Sequence, residues 1–371
     1  MTTPLRWLLI ASHVPAGGAH GGMVRYTVEI ARALAAMPEI ELHILSNAEA
    51  VDFWASEIVP ASQVYGLWKS PTAVQSLLER NAIGSKAFSD SFDVIHGTKH
   101  LLPRRGTATK LLAVHDMLAL DRPGDFGLAK RFLLPRPYLK SIAEADVIVT
   151  NSAATADRVL SYVPSARDRT TVVLLANESL DEPDSETTEN PELPDLVGQP
   201  FALVVGDLSL RKNLPLVVDA WPRVREQIPD ALLAVVGPPS WGDGAIQSDD
   251  ELDPGVKILG RIDDDSLRWA YTNARVVLCP SLLEGYGLPS VEGLQAGTPV
   301  ITSDDPALCE ASGDAALHVS SLAPDQWVSA IVDALDNPRR VTPPPERSWR
   351  EVAAETVAAV INHRQGANRE S

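Results

Sequence analysis

The sequence predicts an α/β protein of two Rossmann-like, doubly wound parallel-sheet domains facing each other across a cleft. Three observations carry this expectation. A chain of 371 residues is long enough for two domains that each bury a core. Short apolar runs (LLAV at 111–114, FALVV at 201–205, LLAVV at 232–236, VVLC at 276–279) each empty into a polar or glycine-bearing segment. Strands covered by helices on both faces need such continuous runs. Between them, residues 178–195 hold many acids and no basic residue, the composition of a linker.

The net charge of −17 argues against general nucleic-acid binding, which needs a basic face to displace counterions. Basic residues gather locally, between Lys99 and Lys140 and at Arg211-Lys212. No apolar run reaches transmembrane length. Residues 7–14 lack a following small-residue cleavage site and are read as a first buried strand rather than a signal peptide. Cys279 and Cys309 have neither metal spacing nor a disulfide pattern, which suits a reducing cytoplasm.

In chain order, the strand at 5–14 enters PAGGAHGG, a glycine-rich loop before an amphipathic helix at 23–37. Its glycines do not form G-x-G-x-x-G, the fingerprint of a dinucleotide oxidoreductase. Strands follow at 41–47, 93–97 and 111–116. His96 and His115 fall at carboxyl ends, the edge where open parallel sheets bind ligands; His96 reads as structural. Residues 127–142 mix Lys130, Arg131, Arg136 and Lys140 with Phe132, Leu133, Leu134, Tyr138 and Leu139. That composition fits contact with anionic lipid or a partly buried helix with solvated charges, and Pro135 and Pro137 interrupt any long helix. Strands at 147–152 and 171–176 close the first domain, with Ser152 capping the helix between them.

The second domain opens with a strand at 201–207 and the loop LSLRKNL, which sets Arg211 and Lys212 before a helix at 214–224. Further strands are expected at 231–237 and 257–260, and Asp263 to Asp265 begin a helix at the end its dipole favours. The run at 276–280 leads into Glu284-Gly285-Tyr286-Gly287, then Pro289 at a first helical position and a helix at 291–296 whose first turn carries Glu292. Free N–H groups of Gly285, Tyr286, Gly287 and Leu288, with the positive end of that helix, make a phosphate cradle. Carboxylates beside a phosphate must face something else, and a hydroxyl-rich ligand on either side meets that demand. A nucleotide-sugar fits, with Glu292 on the ribose and Glu284 on the transferred sugar. Strands at 299–303 and 315–319 and a helix at 347–361 complete the chain.

The string PSLLEGYGLPSVEGLQAGTPV resembles the E-x7-E signature of retaining glycosyltransferases of family 4 (GT4), Glu284 and Glu292 being its two glutamates. Gly206, Arg211, Lys212 and Asn213 match a second motif of that family, and His115-Asp116 a third. The resemblance covers nearly the full length and is strongest in the second half; the segment NESLDEPDS departs from the family's usual crossing. It implies the GT-B architecture, with residues 1–177 as the acceptor domain, 178–199 as linker, 200–345 as the nucleotide-sugar domain and a helix at 346–363 packing back on the first. It further implies that Gly21 and Gly22 lie over the diphosphate, that His115 reaches the donor sugar, that Arg211 and Lys212 neutralise the leaving diphosphate, and that backbone groups near Arg261 and Ile262 hold the base.

The expected activity is therefore transfer of a hexose-type sugar from a nucleoside diphosphate to a hydroxyl acceptor, with retention, without a metal or other cofactor. The expected location is the cytoplasm, with peripheral contact at the inner face of the membrane as an option; oligomeric state, base, sugar and acceptor stay open. Alternatives on the same fold are an epimerase, a pyridoxal-phosphate enzyme using Lys212, or a nucleotide-sugar-binding module without catalysis.

Overall fold

The computed structural model describes residues 3–18, 21–69, 78–104, 106–178, 190, 192–238 and 252–370. Most of the acidic linker, 179–189 and 191, lies outside the described residues, as do residues 19 and 20 of the glycine-rich loop. The chain divides into two compact units, one of residues 1–117, 132–176 and 347–371, the other of 118–131 and 177–346.

The first unit is built on a seven-stranded parallel sheet of order β3-β2-β1-β4-β5-β6-β7. Its strands are β1 (Leu5–Ile10), β2 (Ile40–Ser46), β3 (Val64–Gly66), β4 (Val94–Gly97), β5 (Thr109–Val114), β6 (Val147–Thr150) and β7 (Thr170–Val172). Trp7 stands beside Leu42 on one side and Val94 on the other, so β1 is central. The strands are shorter than the apolar runs suggest. Ala11 and Val14, expected inside the first strand, belong to the loop after it, and both are fully buried.

Helices α1 (Gly22–Ala35), α2 (Val51–Glu57), α3 (Leu118–Asp121), α4 (Leu128–Leu133), α5 (Pro135–Glu144) and α6 (Ala153–Tyr162) follow the strands. Pro135 takes the first position of α5, where its missing N–H is no loss, and it parts α5 from α4. Ser152 caps α6 by accepting from Thr155 N at 3.0 Å. Residues 118–131, expected within the first domain, group with the second unit; they form α3 and the start of α4 and add no strand to the first sheet.

The second unit carries a six-stranded parallel sheet of order β10-β9-β8-β11-β12-β13. These strands are β8 (Phe201–Val205), β9 (Leu232–Val236), β10 (Val256–Gly260), β11 (Val276–Cys279), β12 (Val300–Ser303) and β13 (Leu317–Val319). The helices between them are α7 (Leu214–Arg225), α8 (Asp264–Asn273), α9 (Leu288–Gln295), α10 (Pro306–Ser312) and α11 (Pro324–Asp336). Successive side chains of a strand point to opposite faces, and the core divides accordingly. Ala202, Val204, Val276 and Leu278 join Trp221 and Trp327 under α7 and α11, whereas Phe201, Leu203, Val277 and Cys279 join Trp269 and Tyr271 under α8.

The final helix α12 (Trp349–Glu370) begins close to the expected position and runs further. It packs on α1 and on β5 and β6 of the first sheet, burying Val352, Ala353, Val357 and Val360. Arg347 Nε donates to Leu174 O at 3.1 Å and Arg364 donates to Asp93 O at 2.8 Å, so both ends of the helix region are tied to the first unit.

Candidate active site

In an open parallel sheet, ligands bind outside the carboxyl ends of the strands where the strand order reverses. In the second unit that point lies between β8 and β11. Two loops meet there. The loop after β8 carries Gly206, Asp207, Arg211 and Lys212; the loop after β11 carries Ser281, Glu284 and Gly287. They are joined by two hydrogen bonds: Leu282 N donates to Arg211 O at 2.7 Å, and the Asn213 side-chain Nδ2 donates to Pro280 O at 3.2 Å. Asn213 reaches that carbonyl from a left-handed conformation at φ 52, a place asparagine tolerates better than most residues.

Glu284 sits between the two cations. Lys212 Nζ donates to its Oε1 at 2.6 Å, Arg211 donates to its Oε2 at 3.1 Å, and Ser281 Oγ donates to Oε1 at 2.7 Å. The Glu284 side chain is 10% exposed and that of Lys212 14%. Burial pushes the Glu284 carboxyl up, but the charges of Lys212 and Arg211 outweigh it and hold the group down to about 2. Asp207 lies on the far side of Arg211 at 3.7 Å, oriented by Ser209 Oγ at 2.5 Å.

Gly206, Lys212, Ser281, Glu284 and Gly287 border one solvent-open pocket. A side chain at Gly206 would bring a Cβ within 3.0 Å of Lys212 Cε, so glycine is what lets the lysine stem lie along the strand end. Gly287 is the N-cap of α9, at φ 106, with Leu308 only 2.4 Å from where a Cβ would stand. Because Gly287 starts the helix early, α9 opens at Leu288 with Pro289 in its first turn. Glu292, expected in that first turn, stands in the second and accepts from the Tyr271 hydroxyl at 2.6 Å.

The remaining expected residues lie elsewhere. Gly285 and buried Tyr286 continue the loop, while Arg261 and Ile262 follow β10 at the edge of the sheet, two strands from the pocket. Ile262 packs on the apolar cluster under α8. Gly21, Gly22 and His115 belong to the first unit. Gly21 is the N-cap of α1 at φ 81 and Gly22 its first residue. His115 Nε2 donates to Thr98 O at 3.0 Å and its ring meets Tyr26 edge-on at 4.5 Å. Burial lowers its pKa, with Thr98 and Asp116 opposing. His96 is fully buried among Trp7 and Tyr26, and burial brings it to about 3.

Sequence reasoning missed three contributors. Ser281 was detectable, three residues before Glu284 in the same loop. Asp207 stands directly after Gly206 of the recognised motif. Tyr271 gives no local signal, since it reaches Glu292 from a separate helix.

Profiles of two sequence families match the chain: glycosyl transferases group 1 over residues 186–355 and glycosyltransferase family 4 over residues 20–175. O-antigen chain mannosyltransferase B of Escherichia coli is 25% identical over 354 residues, covering 90% of this chain and 89% of that protein. Sucrose-phosphate synthase of Thermosynechococcus elongatus superposes with a TM-score of 0.68 at 20% identity, over 98% of each chain. Anabaena HepE in complex with UDP and glucose gives a TM-score of 0.63 at 15% identity, over 98% of this chain and 99% of that one. These structures share the GT-B fold.

Proposed function

The chain belongs to the glycosyl transferases group 1, and from that premise we propose that it moves a hexose-type sugar from a nucleoside-diphosphate-sugar to a hydroxyl acceptor with retained anomeric configuration. The observation that carries this is the Arg211–Lys212–Glu284 cluster beside the start of α9 at the sheet's reversal point. Fixed positive charge there opposes the charge that develops on a departing diphosphate, and the amide groups opening α9 add to it. With donor bound, Glu284 turns its carboxylate to the hydroxyls of the transferred sugar while the cations pass to the diphosphate. Glu292, held by Tyr271, takes the ribose hydroxyls, and the loop at Arg261 and Ile262 takes the base.

We assign neutralisation of the diphosphate charge to Arg211 and Lys212, which already hold the Glu284 carboxylate at that position. The acceptor is taken up by the first unit; Gly21 and Gly22 are assigned to the diphosphate and His115 to the donor sugar. We place the reaction in the cytoplasm. Exposed Leu128, Phe132 and Leu133, within a basic stretch, support peripheral contact with the inner membrane face. No helix among the described residues is long and apolar enough to cross a membrane.

The experiment is to incubate the protein with UDP-, GDP-, dTDP- and ADP-sugars in excess EDTA. Nucleoside diphosphate release and the anomer of the sugar first released are followed by NMR. One donor is expected to turn over with retention; release of no nucleotide, or an inverted first anomer, overturns the proposal.

A further inference from the structure

The partners of the Glu284 carboxylate differ in kind. Lys212 and Arg211 are long and charged, and both are wanted at the diphosphate. Ser281 is short and neutral. Its hydroxyl, three residues earlier in the same loop, donates to Glu284 Oε1 at 2.7 Å, and the residue is 2% exposed.

Ser281 is itself held from the neighbouring strand. Its carbonyl accepts from Ser303 Oγ at 2.5 Å, across 22 positions of sequence. Ser303 ends β12 and is 1% exposed. The parallel register of β11 and β12 puts Thr302 beside Cys279, so the two chains leave the sheet together and Ser303 arrives at the start of the Glu284 loop. The turn behind Ser303 is ordered too. Asp305 N donates to its hydroxyl at 3.4 Å, and the Asp305 carboxylate caps α10 by accepting from Ala307 N at 3.0 Å and Leu308 N at 3.3 Å. Leu308 then fills the space beside Gly287. The turn from β12 into α10 thus braces the loop at its start through Ser303 and at its end through Leu308.

A serine hydroxyl has one proton, and that of Ser303 is committed to Ser281 O. Buried carbonyls are as a rule paired, and one that loses its donor is costly to leave in place. Alanine at 303 deprives Ser281 O of this bond and loosens the loop that carries the short contact to Glu284.

We infer that Ser303 is a positioning residue for glycosyl transfer: through Ser281 it aims the Glu284 carboxylate at the hydroxyls of the transferred sugar. On the donor reading above, on which this rests, a diphosphate draws Lys212 and Arg211 away and leaves Ser281 to orient the carboxylate. Small misplacements of a group that orients substrate are enough to slow a reaction.

Wild type, Ser281→Ala, Ser303→Ala and the double variant are compared for nucleotide release from the UDP-, GDP-, dTDP- and ADP-forms of glucose and mannose. Affinity for the four free nucleoside diphosphates is measured by calorimetry. For the donor that wild type consumes, each single variant is expected to lower kcat/KM by about threefold to tenfold, the scale of one hydrogen bond. The double variant is expected to lose no more than Ser281→Ala, because both changes act through one contact, and diphosphate affinity to stay unchanged. Full turnover by Ser303→Ala, additive losses, or an equal loss of diphosphate affinity overturns the assignment.

A second measurement needs no donor. The bond from Ser281 helps Lys212 and Arg211 hold the Glu284 carboxyl low, so weakening it raises the folded value. The melting-temperature gap between wild type and Ser303→Ala should be widest above about pH 4.5 and narrow as pH falls toward 2; in a Glu284→Gln background it should be constant. A gap that is constant in both backgrounds leaves Ser303 a packing role alone, and a pH-dependent gap that persists without Glu284 belongs to Asp305; either result counts against the assignment. A wild type that consumes none of the donors counts against the glycosyl-transfer reading, and the melting curves then decide on Ser303. Ser303→Cys, which keeps the volume and weakens the donor, replaces Ser303→Ala should that variant not fold.

Discussion

Lys212 Nζ lies 2.6 Å from Glu284 Oε1, although the two residues are 72 positions apart in sequence. The same oxygen also accepts from Ser281. Lys212→Ala therefore removes more than a cation: it leaves a mostly buried carboxylate with Arg211 as its remaining charged partner. Turnover of the donor is expected to fall by about a hundredfold or more, the scale of losing one preorganised donor. The comparison is made in excess EDTA. Loss of wild-type activity there, with recovery on Mn²⁺, would rule out catalysis by these cations alone.

Glu284 also sets an acid limit on stability. Its carboxyl is held at about 2 in the folded chain against an ordinary 4.5, so its contribution is complete above the ordinary value and is lost as pH falls toward 2. Melting temperatures of wild type and Glu284→Gln should differ most above about pH 4.5, and the gap should shrink steadily as pH falls from there toward 2. A constant gap between the two curves would show that Glu284 does not titrate in this range.

Glu79 has the opposite sign. Folding raises its carboxyl from 4.5 to about 7, so the folded chain keeps a proton that the unfolded chain releases. Its stabilising share is complete below pH 4.5 and declines as pH rises through 7. Glu79→Gln should therefore gain stability relative to wild type between pH 5 and pH 8. A parallel pair of melting curves across that range would contradict the shift.

Glu292→Ala is expected to weaken nucleoside diphosphate binding by about 1.5–3 kcal/mol, the value of a charge-assisted bond to ribose. Tyr271→Phe should cost less, about 1 kcal/mol, because the carboxylate remains and loses one fixed partner. In calorimetry both losses should vanish with a 2′,3′-dideoxy nucleotide. Equal losses with the ribo and dideoxy ligands would mean that Glu292 does not meet the ribose.

Removal of α12 by truncation after Pro345 should lower the melting temperature and expose apolar surface to a dye. Val352, Val357 and Val360 are nearly or fully buried against the first unit, and each such side chain contributes about 1.5–3 kcal/mol. Full stability of the truncated chain would show the helix to be dispensable.

The central strands were legible because helices cover both faces of each sheet, which forces runs such as VVLC and FALVV to be apolar throughout. Edge elements were not. Val64–Gly66 is three residues long, with two partly buried positions and an exposed glycine, and such a segment carries little pattern. The glycine loop and its two glutamates could be found from local spacing, yet their hydrogen-bond partners could not. Tyr271 lies 21 residues before Glu292, on a separate helix, and only the folded unit brings the two together. The start of α9 was misplaced because Pro289 looks like an opening residue, whereas Gly287 supplies the left-handed turn that begins the helix before it.

The return of α12 to the first sheet has a consequence for synthesis. Domains made on the ribosome generally fold in order of emergence, but here the earlier unit lacks a helix that is translated only after residue 346. At roughly 5–20 residues per second, the 170 residues from 177 to 346 separate the two parts by roughly ten to thirty seconds. During that interval the apolar groove over β5 and β6 is bare on the nascent chain. The unit made first is thus the last to finish folding, and a chaperone acting on this protein would find its binding surface over β5 and β6 of that unit.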